Sequence, residues 1–293
     1  MNKTLEYKSP KVIAEIGCNH KGDLDIAVEM IKMAKIFCDA DVVKFQKRNN
    51  VELLTPEQYN APHPNPHNSY GTTYGEHREF LEFNAEQHKE LYEKCKEIGI
   101  EYSTSVWDMT SAKEIVAFNP KMIKIPSACN NHFNMLSWLC DNFEGEIHIS
   151  VGMTTREEEE KIVRLFESKG RNKDLVLYSC TSGYPVPFKD VCLLEITRLV
   201  NTYGSMVKQI GFSGHHNGFA IDIAAYTLGA SVIERHFTLD RTWKGTDHAA
   251  SLEPDGIRRL KRNLLATYES LSYKSNEILP IEQEQRDKLK YRI

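Results

Sequence analysis

Gln209-Ile-Gly-Phe-Ser-Gly-His215-His216-Asn-Gly218, an apolar run to Gly229, Ser231-Val-Ile-Glu234-Arg-His236-Phe237 and Gly245-Thr-Asp247-His248 together decide how this chain folds. Residues 210–213 have the pattern of a short strand that stops at Gly214. Residues 231–238, rich in β-branched and aromatic side chains, predict a second strand. Residues 219–229 between them are helical by composition. Strand, helix, strand implies two parallel neighbours. His215 then lies just past the C-terminal end of the first strand. Glu234 and His236 share one face of the second, because strand side chains alternate with period two. Two imidazoles from adjacent strands therefore converge at one rim, the arrangement a divalent metal asks for. The plainer reading is a hydrogen-bonded rim histidine and a solvated edge. Against it stands the crowding of acids and imidazoles at 215, 216, 234, 236, 247 and 248 in an otherwise apolar stretch.

Working outward, the same alternation recurs. Strands are expected at 12–18, 42–46, 102–106, 122–126, 147–151 and 175–180, each followed by a helix. Asn84 is the expected N-cap of a helix at 85–98. Thr155 with Glu158 opens another in the manner of a capping box. Eight strand–helix units in 293 residues predict a closed (β/α)8 TIM barrel, α/β in class and a single domain over 1–271. No Gly-x-Gly-x-x-Gly follows the first strand, which counts against a dinucleotide fold. Residues 47–84 break the rhythm as a polar loop rich in Pro, His, Asn and Tyr, and form a candidate lid. Residues 272–293 read as a charged tail.

Composition removes several function classes. A net charge of −4 with no basic block argues against nucleic acid as a partner. No apolar run approaches membrane-spanning length, and the N-terminus lacks a signal-peptide core. Seven scattered cysteines without a Cys-x-x-Cys pair fit free thiols in a reducing cytoplasm.

In a TIM barrel the site lies at the C-terminal ends of the strands. Those ends carry Glu15, Lys44, Gln46, Thr104, Ser105, Lys124, Ser127, Ser150, Ser182, Tyr184, Ser213, His215, Glu234 and His236. Lys44 in Val-Val-Lys-Phe-Gln and Lys124 in Met-Ile-Lys-Ile-Pro-Ser should point into the barrel, where an unpaired ammonium is costly. Three readings are open: a salt bridge to Glu15 or Glu234, a Schiff-base lysine, or a cradle in which lysines and short hydroxyls hold a phosphate and a carboxylate.

Several motifs at these ends resemble one family. They are Ile13-Ala-Glu15-Ile-Gly-Cys-Asn-His20, Val43-Lys44-Phe-Gln46, Ser103-Thr104-Ser105, Ile123-Lys124-Ile-Pro-Ser127, Ser150-Val-Gly-Met153, Cys180-Thr-Ser-Gly-Tyr184-Pro185, Gly211-Phe-Ser213-Gly-His215, Glu234-Arg-His236-Phe-Thr-Leu-Asp240 and Asp247-His248-x-x-Ser251-Leu-Glu-Pro254. Over about residues 10–270 the chain resembles the sialic acid synthases, comprising N-acetylneuraminate, legionaminate and pseudaminate synthases. The resemblance implies a barrel that condenses phosphoenolpyruvate with an N-acetylated aminosugar, N-acetylmannosamine-like, to a nine-carbon 2-keto acid with release of phosphate. It implies a divalent metal held by His215 and His236, usually manganese, with magnesium or cobalt as alternatives. Lys44, Thr104, Lys124, Ser127, Ser150, Ser182 and Ser213 would bind phosphoenolpyruvate. Glu15, Tyr184 and Asp247 would face the sugar. Glu234 would sit beside the reacting carbons and orient the attacking water, with Glu15 as the rival for that role. A homo-oligomer, dimer or tetramer, is expected.

Three departures from the family pattern stand out. Gly214 replaces the Asp that usually precedes the first metal histidine, and His216 replaces a small polar residue. The antifreeze-like domain usual at the C-terminus has no counterpart in 293 residues. Two rival functions remain from residue reading: another metal-dependent barrel enzyme such as a sugar isomerase or class II aldolase, and a non-catalytic paralogue that binds the sugar or phosphoenolpyruvate.

Overall fold

The structure, a computed structural model, describes residues 6–291. Eight strands run in chain order: β1 Lys11–Gly17, β2 Val42–Lys47, β3 Glu101–Val106, β4 Met122–Ile125, β5 Glu146–Ser150, β6 Leu175–Cys180, β7 Gln209–Gly214 and β8 Val232–His236. All neighbours are parallel, and β1 pairs with β8 to close the barrel. The predicted (β/α)8 barrel is thus the observed fold. Closure leaves no sheet edge, so each strand is buried on both faces and reads as a nearly continuous apolar run.

The polar residues that interrupt those runs follow the pleat. Ile13, Val42, Met122, Val176, Tyr178 and Val232 form an apolar cluster of their own, apart from the larger core between barrel and helices. Glu15, Lys44, Lys124 and Glu234 each lie two residues further along a strand than a member of that cluster. The period of two therefore stacks a charged layer directly on an apolar plug.

The helices follow the expected order, with two local refinements. Helix Ala85–Ile98 is capped by Asn84 and ends at Gly99 in the left-handed region, and Thr155 with Glu158 forms the predicted capping box of Arg156–Ser168. The segment at 47–84, expected as a polar loop, is built of short helices: Asn50–Leu53, Pro56–Asn60 and Tyr74–Leu81. Capping boxes at Thr55/Gln58 and Thr73/Glu76 supply the local reason, because each satisfies two orphan donors in a polar, weakly periodic segment. The 272–293 tail includes a helix, Pro280–Leu289, with no buried residue.

On the N-terminal face of the barrel, Asp41 ties the last long helix to the first strand. It accepts the Val12 N–H at 2.7 Å and two bonds from Lys261 Nζ, at 2.8 and 2.6 Å. Lys261 belongs to helix Pro254–Ser270 and is buried. Asp41→Ala leaves that ammonium without its carboxylate. It should lower the unfolding free energy by about 1–3 kcal/mol, measured by urea denaturation; an unchanged midpoint would refute the clasp.

Candidate active site

The C-terminal mouth of the barrel opens on a cavity of about 410 Å³. Glu15, Lys44, Lys124, Ser127, Ser150, Ser182, Tyr184, Ser213, His215, Glu234, His236 and Asp247 all line it. Thr104 does not. It lies between Tyr102 and Ser105 on β3, opposite Phe45 in register, and is fully buried on the outward face. Ser105 is the β3 hydroxyl that reaches the interior, where it accepts a bond from Lys44 Nζ at 2.8 Å. The slip is one residue along a strand, which changes the face.

Four buried charges make the floor. Lys124 Nζ donates to both oxygens of Glu234 at 2.9 Å and sits 3.7 Å from the centroid of the Tyr178 ring. Lys44 is ion-paired with Glu15 and lies 3.9 Å from Glu234. Ser213 donates to Glu234 at 3.0 Å. Of the three readings open for the lysines, pairing with Glu15 and Glu234 is the one displayed here. The electrostatics differ between the two acids. Burial would raise Glu234, but Lys124 and Lys44 overrule it and hold the carboxyl well below its usual range. Burial pushes Glu15 up to about 7, against the pull of Lys44. Burial also draws Lys124 below the ordinary lysine range, in spite of Glu234.

On the β5–β6 side, Ser127 and Ser182 converge on Gly152. The Gly152 N–H donates to Ser127 Oγ at 3.0 Å. A Cβ at Gly152 would fall 2.7 Å from Ser182 Oγ and 2.8 Å from Ser127 Oγ. Glycine thus keeps a small hydroxyl-lined cradle open next to Lys124 and Ser150.

On the β7–β8 side, the His215 and His236 rings lie 5.3 Å apart, with the Tyr184 ring 4.4 Å from His215. His215 Nδ1 faces the Thr181 carbonyl at 3.1 Å, which makes it the protonated nitrogen and leaves Nε2 unprotonated. His236 Nδ1 is buried without a partner. Burial lowers both histidines to about 3, so both rings are neutral at physiological pH, as a metal ligand must be. Among the described residues no three His, Cys, Asp or Glu are grouped as a ready-made metal cage.

The unusual Gly214 and His216 have one structural cause. Arg235 alternates to the outer face of β8 and is fully buried. Its Nη1 donates to Asp222 at 2.5 Å and to the Gly218 carbonyl at 2.6 Å, and its Nη2 to the His216 carbonyl at 2.5 Å. A Cβ at Gly214 would stand 2.8 Å from the Phe212 ring, 3.0 Å from the His216 ring and 3.1 Å from Arg235 Cδ. Gly214 makes room for this cluster, and the cluster fixes the loop that carries His215.

Arg48 and Trp107 are among the cavity-lining residues to which residue reading gave no role. The available signal was their position, immediately beyond β2 and β3.

The sequence pattern of the NeuB family matches residues 30–276. The chain belongs to the NeuB family. It is 38% identical over 280 residues to the N-acetylneuraminate-9-phosphate synthase of Homo sapiens, spanning 95% of this chain and 76% of that protein. It is 33% identical over 261 residues to the N,N'-diacetyllegionaminic acid synthase of Campylobacter jejuni, spanning 89% and 75%. Among solved structures, the N-acetylneuraminic acid (sialic acid) synthetase from Leptospira borgpetersenii aligns with a TM-score of 0.81 at 26% identity, covering 99% of this chain and 96% of that one. The family assignment expected from the strand-end motifs is therefore met in this NeuB-family chain.

The loop anchor makes a specific demand on stability. Asp222→Ala strands the buried Arg235 guanidinium and should cost about 3–5 kcal/mol of unfolding free energy. A loss below about 1 kcal/mol in chemical denaturation would show that Arg235 does not depend on Asp222.

Proposed function

We propose that this chain condenses phosphoenolpyruvate with an N-acetylated aminosugar to a nine-carbon 2-keto sugar acid, releasing phosphate. The reading goes with membership of the NeuB family and with the synthase names of its relatives. One observation carries it: a hydroxyl cradle kept open by Gly152 adjoins two buried lysines, and both face a pair of neutral imidazoles across one cavity. An isomerase or aldolase needs the imidazoles but not two lysines in a nest of hydroxyls.

In this reading Ser127, Ser150 and Ser182 take the phosphate of phosphoenolpyruvate, and Lys124 and Lys44 supply the positive charge beneath it. His215 and His236 would hold a divalent metal, manganese in the first instance. When bound, that metal supplies Lewis-acid polarisation of the sugar aldehyde. Tyr184 and Asp247 border the same end and face the sugar. C3 of phosphoenolpyruvate attacks the aldehyde carbon, water captures the cationic C2, and the tetrahedral intermediate expels phosphate. The water needs a carboxylate oxygen to orient it. Glu234 has both oxygens engaged by Lys124 and Ser213, whereas Glu15 Oε1 meets only Gln46, at 3.4 Å. The geometry therefore favours Glu15 for that role, reversing the preference for Glu234 drawn from the motifs.

A site that forms such a cation has to control water. Arg48 of the 48–83 segment lines the cavity, and Tyr70 donates to the Lys244 carbonyl at 2.5 Å, three residues before Asp247. We assign this segment the role of cover. No helix among the described residues is long and apolar enough to cross a membrane. A cytoplasmic homo-oligomer belongs to the same proposal.

Two measurements test it. Phosphate release should require both phosphoenolpyruvate and an N-acetylated aminosugar, stop on chelation and return with manganese. Release that persists in chelator, or that needs no sugar, would sink the reading. Lys124→Met should weaken phosphoenolpyruvate binding roughly ten- to hundredfold by calorimetry, the loss of one charge-assisted contact. Unchanged affinity would remove Lys124 from the binding site.

A further inference from the structure

Lys124 has a second partner, which the reaction proposed above leaves unused. Its Nζ stands 3.7 Å from the centroid of the Tyr178 ring. Tyr178 is fully buried and is the aromatic member of the apolar plug beneath the charged floor. Gly211 lies opposite it in register on β7, and a Cβ there would fall 2.6 Å from Tyr178 Cε1 and 2.7 Å from Cδ1. Glycine at 211 is therefore what leaves room for the ring beside the lysine. Any side chain at that position would force the ring aside.

A chain of polar groups holds the other end of the ring. The Tyr178 hydroxyl meets His148 Nδ1 at 2.6 Å, His148 Nε2 meets Glu146 at 3.1 Å, and Glu146 accepts from Lys208 Nζ at 2.9 Å. Proton positions along this chain follow from the acid at its end. The bond from His148, then that from Lys208, holds Glu146 down to about 2 against burial, so it is ionised and only accepts. Burial draws His148 below its usual range, in spite of Glu146, and pushes the Tyr178 phenol well above its own. His148 is thus neutral with its proton on Nε2, and Nδ1 accepts from the phenol. Hydrogen bonds in such a chain polarise one another, and a donating phenol carries more negative charge into its ring. The chain therefore both orients Tyr178 and strengthens the attraction of its face for a cation.

We propose that Tyr178 is the positioning residue of Lys124: its ring keeps the ammonium at the cavity floor when phosphoenolpyruvate takes Lys124 from Glu234. The inference rests on the reading of Lys124 as a phosphoenolpyruvate ligand. In the structure Glu234 engages the ammonium through both oxygens at 2.9 Å. A lysine carries its charge on a flexible stem, so without a fixed second contact it collapses onto that carboxylate. The ring is neutral, so it does not compete with an incoming anion for the ammonium. It is also fixed at both ends, by Gly211 and by His148, so it stays when Glu234 is exchanged. Its contribution is largest in the bound state, where the ion pair with Glu234 has been given up.

The test is calorimetry of phosphoenolpyruvate, in one manganese buffer, against Tyr178→Phe and against the same position carrying progressively fluorinated phenylalanines. Ring shape stays nearly constant along that series while the negative potential of the ring face falls. Affinity should decline step by step, to roughly five- to thirtyfold below the wild type at the end. The same steps in a Lys124→Met background should change nothing. In steady-state assays KM for phosphoenolpyruvate should rise along the series while KM for N-acetylmannosamine stays level. Ring-fluorinated tyrosines, which keep the bond to His148, make the same comparison if Tyr178→Phe does not fold. Affinity indifferent to fluorination, while Lys124→Met still weakens binding, would overturn the positioning role and leave the reaction reading standing. An equal decline in the Lys124→Met background would overturn it too. Unchanged affinity in Lys124→Met itself would remove Lys124 from the binding site, and the inference with it.

Discussion

The structure depends on a ring of four buried charges, Glu15, Lys44, Lys124 and Glu234, none more than 6% exposed. Charges are tolerated inside a barrel only where they neutralise one another and fill their remaining hydrogen-bonding positions. Here the two acids and two lysines balance, and Ser105 and Ser213 take up further bonds. The apolar plug below and the cavity above define the layer in which this can happen. Everything the site can do is set by that floor, because an incoming anion meets lysines already committed to carboxylates. Binding must therefore be an exchange of partners rather than the filling of an empty cationic hole. Exchange gives up an existing ion pair for each one formed, and it ties the state of Glu15 and Glu234 to occupancy by substrate.

Strand periodicity explains how far the sequence could be read. The barrel was legible because eight apolar runs alternate with helical stretches and each ends polar. The convergence of His215, Glu234 and His236 was legible because one βαβ unit fixes neighbours, direction and face at once. The same rule explains the Thr104 slip. In Ser103-Thr104-Ser105 three hydroxyls follow one another, composition does not show which of them face inward, and only the pairing of Lys44 with Ser105 settles it. Arg48 and Trp107 were given no role because they lie just past the strand ends, where no periodic signal persists.

Gly214 and His216 illustrate a different limit. In sequence they are two separate departures beside a presumed ligand. In the fold they are one rearrangement, since the buried Arg235–Asp222 pair needs the volume that a side chain at 214 would occupy. Coupled substitutions of this kind become visible only when the outer face of β8 is packed against helix Ala220–Thr227.

The floor is tested most directly by a double-mutant cycle on Lys124 and Glu234. The unfolding free energies of Lys124→Met, Glu234→Met and the double variant would be measured under one set of conditions. If the two residues hold each other in the barrel, each single change strands a buried partner, and the double change costs less than the sum of the singles by about 1–3 kcal/mol or more. Strict additivity would contradict the account, since it would mean that the floor does not rest on mutual pairing.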